Sequence, residues 1–195
     1  MLGSACALAL GPVWANEVEA PHALIRRVAG AALDKVKNDP ALRVGNLDKI
    51  MALVDNDLMP IVDFERMTAS AVGRFWRQAT PAQQAQLQVE FKRLLVRTYA
   101  GALARIKDQT LEIKAARVPA EATETVVRSR LMGAGEPVQI DYRMEKQAVG
   151  WKVYDLNVMG IWLVDTYKNQ FATEIQANGV AGLIVNLAER NRKGA

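Results

Sequence analysis

Few side chains in this sequence could start a reaction, and they are scattered. The single histidine, His22, stands in a polar N-terminal stretch without neighbours that would make it a proton shuttle, and it reads as a surface residue. One histidine and one cysteine, Cys6, leave a metal site short of nitrogen and sulfur ligands. "DND" at 55–57 lacks the loop that would make it a calcium hand. Phosphate-cradling glycine motifs, a nucleophile elbow and a Ser/His/Asp set are all missing. What remains is carboxylate beside phenol. Asp141 with Tyr142, or Asp155 with Tyr154, supply the types an isomerase uses to move a proton and steady an enolate. Adjacent residues of a strand point to opposite faces, however, so neither pair can converge by adjacency. An aspartate held by an arginine is the plainer expectation.

The elements that would position these groups are rich in large apolar residues. "WKVYDLNVMGIWLVDTYKNQF", residues 151–171, reads as a strand running into a helix. Upstream, Leu24, Ile25, Val28, Ala32 and Val36 recur at helical spacing and stop near Asp39-Pro40. A second helix opens at Asn46 and ends at Pro60, and Asp63 caps a third that carries Phe64, Met67, Ala71, Val72 and Phe75. The best-marked helix starts at Thr80-Pro81-Ala82-Gln83, a capping box with proline at the first helical position. Its stripe is Leu87, Phe91, Leu94, Leu95, Tyr99, Leu103 and Ile106, with Glu90, Arg93, Arg97 and Lys107 opposite.

After Asp108 the period changes to two. "TLEIKAARV", "TETVVRSRLM", "PVQIDYRMEK" and "GWKVYDLNV" are strand-like, and their short connections predict an antiparallel meander with one apolar face. A helix follows through Gly160, with Leu163, Val164, Tyr167, Phe171 and Ile175 on one side. Asn178-Gly179 breaks it before a last helix. The order predicts an α+β fold: a curved four-stranded sheet over about residues 109–158, with helices from about 20–107 and 160–191 packed on its concave face as a cone. No repeat or linker divides residues 16–195, which read as a single domain.

Half of the 195 residues are hydrophobic and 24% are charged, with a net charge of +4. The basic residues are dispersed, the pattern of a solvated surface and not of a nucleic-acid interface. Residues 1–15 have the short apolar centre and small-residue Val13-x-Ala15 ending of a signal peptide, which predicts export. A signal peptide normally opens with a cation, so its absence here predicts a true start upstream of Met1. Removal of this segment would also remove Cys6.

Several motifs together resemble a known family. They are "DFERM" at 63–67, "VGRFW" at 72–76, the segment from Ala79 to Leu103, "WKVYD" at 151–155, and G-x-x-LV-x-x-Y-K-x-QF across 160–171. In this order they resemble the phospholipid carriers of the maintenance-of-lipid-asymmetry system, MlaC, also grouped as the toluene-tolerance family. The resemblance implies an NTF2-like cone and a periplasmic, non-enzymatic, monomeric shuttle for glycerophospholipids, with acyl tails inside and the headgroup in water. It implies no cofactor other than the bound lipid. Its partners would be an outer-membrane lipoprotein complex and an inner-membrane ABC transporter with an MCE-domain subunit. Trp162 departs from the family, whose members carry a small polar residue there, and would narrow the cavity if it pointed inward.

The apolar stripes supply the candidate lipid-contacting wall: Phe64, Met67, Val72, Phe75, Leu94, Tyr99, Val127, Leu131, Ile140, Tyr142, Leu163, Tyr167 and Phe171. Any such stripe serves equally well as closed core. Arg74, Arg77, Arg93, Arg97 and Lys168 are candidates for the mouth or for docking, with a solvated face as the plain reading. Two alternatives stand beside the carrier: an exported NTF2-like, isomerase-type enzyme for a small apolar substrate, and an adaptor whose cone is filled.

Overall fold

A computed structural model describes residues 18–133 and 135–193; the signal-peptide reading of residues 1–15 lies outside them. Helix α1 (Pro21–Asn38) enters through a proline at its first position and stops before Pro40, where the short α2 (Pro40–Arg43) begins under the Asp39 side chain. Asn46 caps α3 (Leu47–Leu53) by accepting from Lys49 N at 3.0 Å. A wider π turn and a tighter 3₁₀ turn carry the chain on to Ile61. Asp63 caps α4 (Phe64–Val72), and its second carboxylate oxygen accepts from Gln147 Nε2 at 2.7 Å, which ties the helix start to the sheet. Gly73, at φ 64°, ends α4, so Phe75 sits in the following 3₁₀ turn. The predicted capping box is formed: Gln83 N donates to Thr80 Oγ1 at 3.2 Å and Thr80 N to Gln83 Oε1 at 2.9 Å, opening α5 (Pro81–Leu103).

The sheet is an antiparallel meander in the order β1 (Thr110–Ile113), β2 (Glu124–Met132), β3 (Val138–Gln147), β4 (Gly150–Val158), β5 (Ile161–Trp162). The α+β expectation holds, with two corrections to the sheet. Five strands replace four, because the chain turns at Met159-Gly160 and pairs once more before the helix, which starts at Leu163. The first strand stops at Ile113 and does not continue to Val118; an edge strand loses its ladder once its single neighbour diverges. Residue pairing also shifts between Arg143/Met144, since Arg143 opposes Asp155 and Met144 opposes Val153, which leaves Tyr154 as the extra residue of a bulge.

Helix α6 (Leu163–Lys193) is two helices joined at Gly179, whose φ of 71° and ψ of 176° interrupt the spiral at the predicted Asn178-Gly179 break. Three cores result. One joins α4, α5 and α6 around Phe91, which is fully buried. A second packs α1, α2, α3 and α5 around Ile50 and Val96, and a third holds α1 against Val127, Met144, Trp151 and Val153 of the sheet. The helices do not all lie on the concave face as expected. The first turn of α6 lies against the opposite face, where Val164 N donates to Asp155 Oδ1 at 3.0 Å. The reason is electrostatic: a helix start offers unpaired N–H groups, and a buried carboxylate accepts them.

Candidate functional site

Residues directly opposite one another in neighbouring strands share a face, so the register maps the sheet row by row. Leu111, Leu131 and Val138 form one row, Ser129, Ile140 and Val158 the next. Val127, Tyr142 and Leu156 form a third, then Thr125, Met144 and Val153. This is the face that α1 covers. It brings together four of the sequence-predicted wall residues, Val127, Leu131, Ile140 and Tyr142.

Their surroundings differ. Val127 is buried in the α1 core, and Tyr142 packs at its margin. Leu131 lies against the α1–α3 core. Ile140, with Val138 and Val158 beside it, is half-buried and belongs to none of the three cores. Burial pushes the Tyr142 hydroxyl above its ordinary pKa, against the neighbouring Ser129 hydroxyl. Ser129 itself donates to the Ile140 carbonyl at 2.8 Å.

The helical candidates are placed elsewhere. Phe64, Met67, Val72, Tyr167 and Phe171 are buried within the α4–α6 core, with Phe75 and Leu94 packed at its edge. Phe91 is the hub, its ring centroid 5.0 Å from Tyr167 and 5.2 Å from Phe171, both edge-on. Leu163 is buried at the start of α6. Tyr99 is half-buried on α5; burial raises its pKa, and the nearby Tyr167 raises it further. The candidate wall passed over Val158 and Leu156, because only the strand register shows that they continue the Ile140 and Tyr142 rows.

The opposite face is polar and tied down. Asp155, 1% exposed, accepts from Leu156 N at 2.8 Å and Val164 N at 3.0 Å through Oδ1, and from Arg143 Nη1 at 2.8 Å through Oδ2. Burial pushes its carboxyl above the usual range, against those donors. Arg143 stacks on Trp162 at 3.8 Å, and Trp162 pairs in register with Asn157, so its indole lies away from the Ile140 row. Arg66 lies 3.7 Å over Tyr154 and bonds Glu124 and Glu145. Asp141 accepts from Gln139 at 2.8 Å on this face, while Tyr142 is on the other. Asp141 and Tyr142 point apart, whereas the bulge brings Tyr154 to the face of Asp155, whose carboxylate already serves three donors. His22 sits in the first turn of α1, half-buried. Among the described residues no group of three His, Cys, Asp or Glu is placed to hold a metal, and no helix is long and apolar enough to cross a membrane.

This arrangement is shared with known proteins. The sequence profile of the MlaC protein family matches residues 26–189. The toluene tolerance protein ttg2D of Pseudomonas putida is 25% identical over 173 residues, covering 88% of this chain and 80% of that protein. The intermembrane phospholipid transport system binding protein MlaC of Haemophilus influenzae is 24% identical over 181 residues, 87% of this chain and 81% of its own length. A phospholipid-binding protein from Ralstonia solanacearum, solved in complex with a phospholipid, superposes with a TM-score of 0.85 at 51% identity, over 89% of this chain and 97% of the other. By the extent of the profile match and the shared fold, the chain belongs to the MlaC family.

Proposed function

We propose that this protein is a periplasmic phospholipid carrier that moves glycerophospholipids between an outer-membrane lipoprotein complex and an inner-membrane ABC transporter bearing an MCE-domain subunit. The observation that carries the reading is the Ralstonia relative, half identical in sequence, which holds a phospholipid on the same fold. The physical complement is the sheet face around Ile140, Val138 and Val158, apolar and yet outside the packed cores. The acyl tails would lie there and along Leu131, Tyr142, Val127 and the helical residues Leu94, Tyr99 and Leu163, with Phe64, Met67, Val72, Phe75, Tyr167 and Phe171 as the wall behind. The carrier performs no chemistry and needs no metal. It acts as a single exported domain, residues 16–195, and as a monomer.

Two acyl chains bury about 30 methylenes, a gross transfer gain of about 24 kcal/mol at ~0.8 each. That exceeds the roughly 18–21 kcal/mol at which noncovalent affinity saturates. A bilayer offers the same gain, so equilibrium with membranes is poised; release into water is what becomes slow. The test is to denature protein purified from the periplasm, extract it with solvent and weigh the extract. One phospholipid per chain is expected. An unrelated small molecule, or nothing, would overturn the proposal.

A further inference from the structure

The turn between β4 and β5 carries two large apolar side chains into solvent. Met159 is 71% exposed and Ile161 58% exposed, and neither belongs to any of the three cores. The turn is short and fixed. Val158 opposes Ile161, so Met159 and Gly160 alone make the reversal, both at positive φ, 54° and 88°. Met159 N donates to the Gln139 carbonyl at 3.0 Å, and Gly160 N to Asn157 Oδ1 at 2.9 Å. Two-residue hairpins with positive φ at both central positions favour asparagine, aspartate or glycine at the first, where a longer side chain strains the backbone. Among the described residues Met159 is the one non-glycine residue at positive φ. Folding gives no reason for a methionine there, because its side chain packs into no core and points to the outside.

Ile161 shows what adjoins the tip. Across the sheet it extends the row of Ile140 and Val158, the half-buried row outside the cores. Apolar side chains therefore follow one another from the face proposed for the acyl tails to the exposed edge strand. Two side chains fall far short of the roughly 800 Å² per partner that a stable protein interface buries. Gln139 and, at the same end of the sheet, Glu136 are exposed and polar, so they do not enlarge the apolar patch. A bilayer asks for less: a rigid tip with a few apolar side chains enters the headgroup boundary, with a gain that scales with the area buried. We infer that the Met159–Ile161 turn is a membrane-touching lip, which enters the boundary of a phospholipid bilayer and lets acyl tails pass between the bilayer and the Ile140 row. This role rests on the carrier reading and adds the place where cargo crosses.

The test loads a fluorescent phospholipid into the wild-type chain and into Met159→Asn. Transfer to protein-free vesicles of phosphatidylethanolamine and phosphatidylglycerol is then timed. Asparagine tolerates positive φ, so the variant should melt no lower than wild type and carry the same phospholipid content on extraction. Its transfer should be about tenfold slower, through the loss of one inserted side chain. Val149, 80% exposed, stands in the turn at the opposite end of β4, and Val149→Asn should transfer at the wild-type rate. As a direct readout, the emission of Met159→Trp should shift to the blue when vesicles are added, and that of Val149→Trp should not. Wild-type protein without phospholipid would overturn the carrier reading and this role with it. Full loading with unaltered Met159→Asn transfer would overturn the lip alone, as would equal slowing in Val149→Asn or a Met159→Trp emission indifferent to vesicles. A Met159→Asn defect seen only with vesicles that bear a protein acceptor would also overturn it, and would assign the turn to a protein partner.

Discussion

At the scale of single residues, Asp155 and Ile140 mark the structural face of the sheet and the face proposed for cargo. Asp155 is fully enclosed and bonded by two backbone N–H groups and Arg143, and burial still raises its pKa. An acid whose folded pKa exceeds its unfolded value holds its proton more tightly when folded. Its contribution to stability is complete below about pH 4, where both states are protonated, and is lost as pH rises through the folded pKa. Asp155→Asn should abolish that decline and, at pH 7, cost about 2 kcal/mol, because three donors then face one carbonyl oxygen. Urea midpoints measured from pH 4 to 7 check both; an unchanged slope would show that other groups set it. Ile140 is the contrasting case. It lies outside the three cores, so Ile140→Trp should leave the melting temperature within a few degrees of wild type and still block phospholipid loading, read by mass spectrometry of the extracted protein. Full loading in this variant would remove Ile140 from the proposed wall. Leu131→Trp should block loading too, but with some destabilisation, since Leu131 packs against a core.

At the scale of elements, two glycines show how far backbone demands can be read. Gly179, at φ 71° and ψ 176°, occupies a region open essentially to glycine alone, and a Cβ there would meet no atom within 4 Å. Gly179→Ala should therefore cost about 2 kcal/mol through backbone strain alone. Gly30 lies mid-helix in α1, also with open space, so Gly30→Ala should stabilise by about 0.5–1 kcal/mol. Denaturation of the two variants side by side checks the opposite signs. The Asn178-Gly179 break, the Thr80 capping box and the Asn46 and Asp63 caps were legible because each is a local signal, complete within four residues. β5 was not, since two residues carry no period and are ordered only by pairing with Asn157 and Val158. The α5 stripe was half legible. Leu87 and Phe91 are buried as predicted, but so are Val96 and Ala100, because α1–α3 cover a second side of the helix. That second contact also leaves Arg97, expected on a solvated face, half-buried. The candidate wall suffers the same limit: periodicity gives a face, and which part of it stays unpacked depends on elements distant in sequence.

At the scale of the whole molecule, the proposed cargo sets the kinetics. Tails lodged between sheet and helices can leave by two routes, desorption into water or transfer during contact with an acceptor. The water route must expose about 30 methylenes, and even a fraction of a gross gain near 24 kcal/mol places it far beyond the timescale of growth. The contact route exposes little hydrocarbon at any moment, because each segment that leaves the protein enters another apolar phase. The two routes predict different rate laws. With a fluorescent phospholipid loaded into the purified protein and acceptor vesicles in excess, desorption gives a transfer rate independent of vesicle concentration. Contact transfer gives a rate that rises in proportion to it. Proportionality is expected, and a plateau reached at the lowest vesicle concentrations would mean that the protein releases lipid to water after all. The net charge of +4 adds a second dependence. Transfer to anionic vesicles should outpace transfer to neutral ones at low salt, and the advantage should shrink as the Debye length falls from about 30 Å at 0.01 M to about 8 Å at 0.15 M. An advantage that persisted undiminished at high salt would point to a specific headgroup contact in place of long-range attraction.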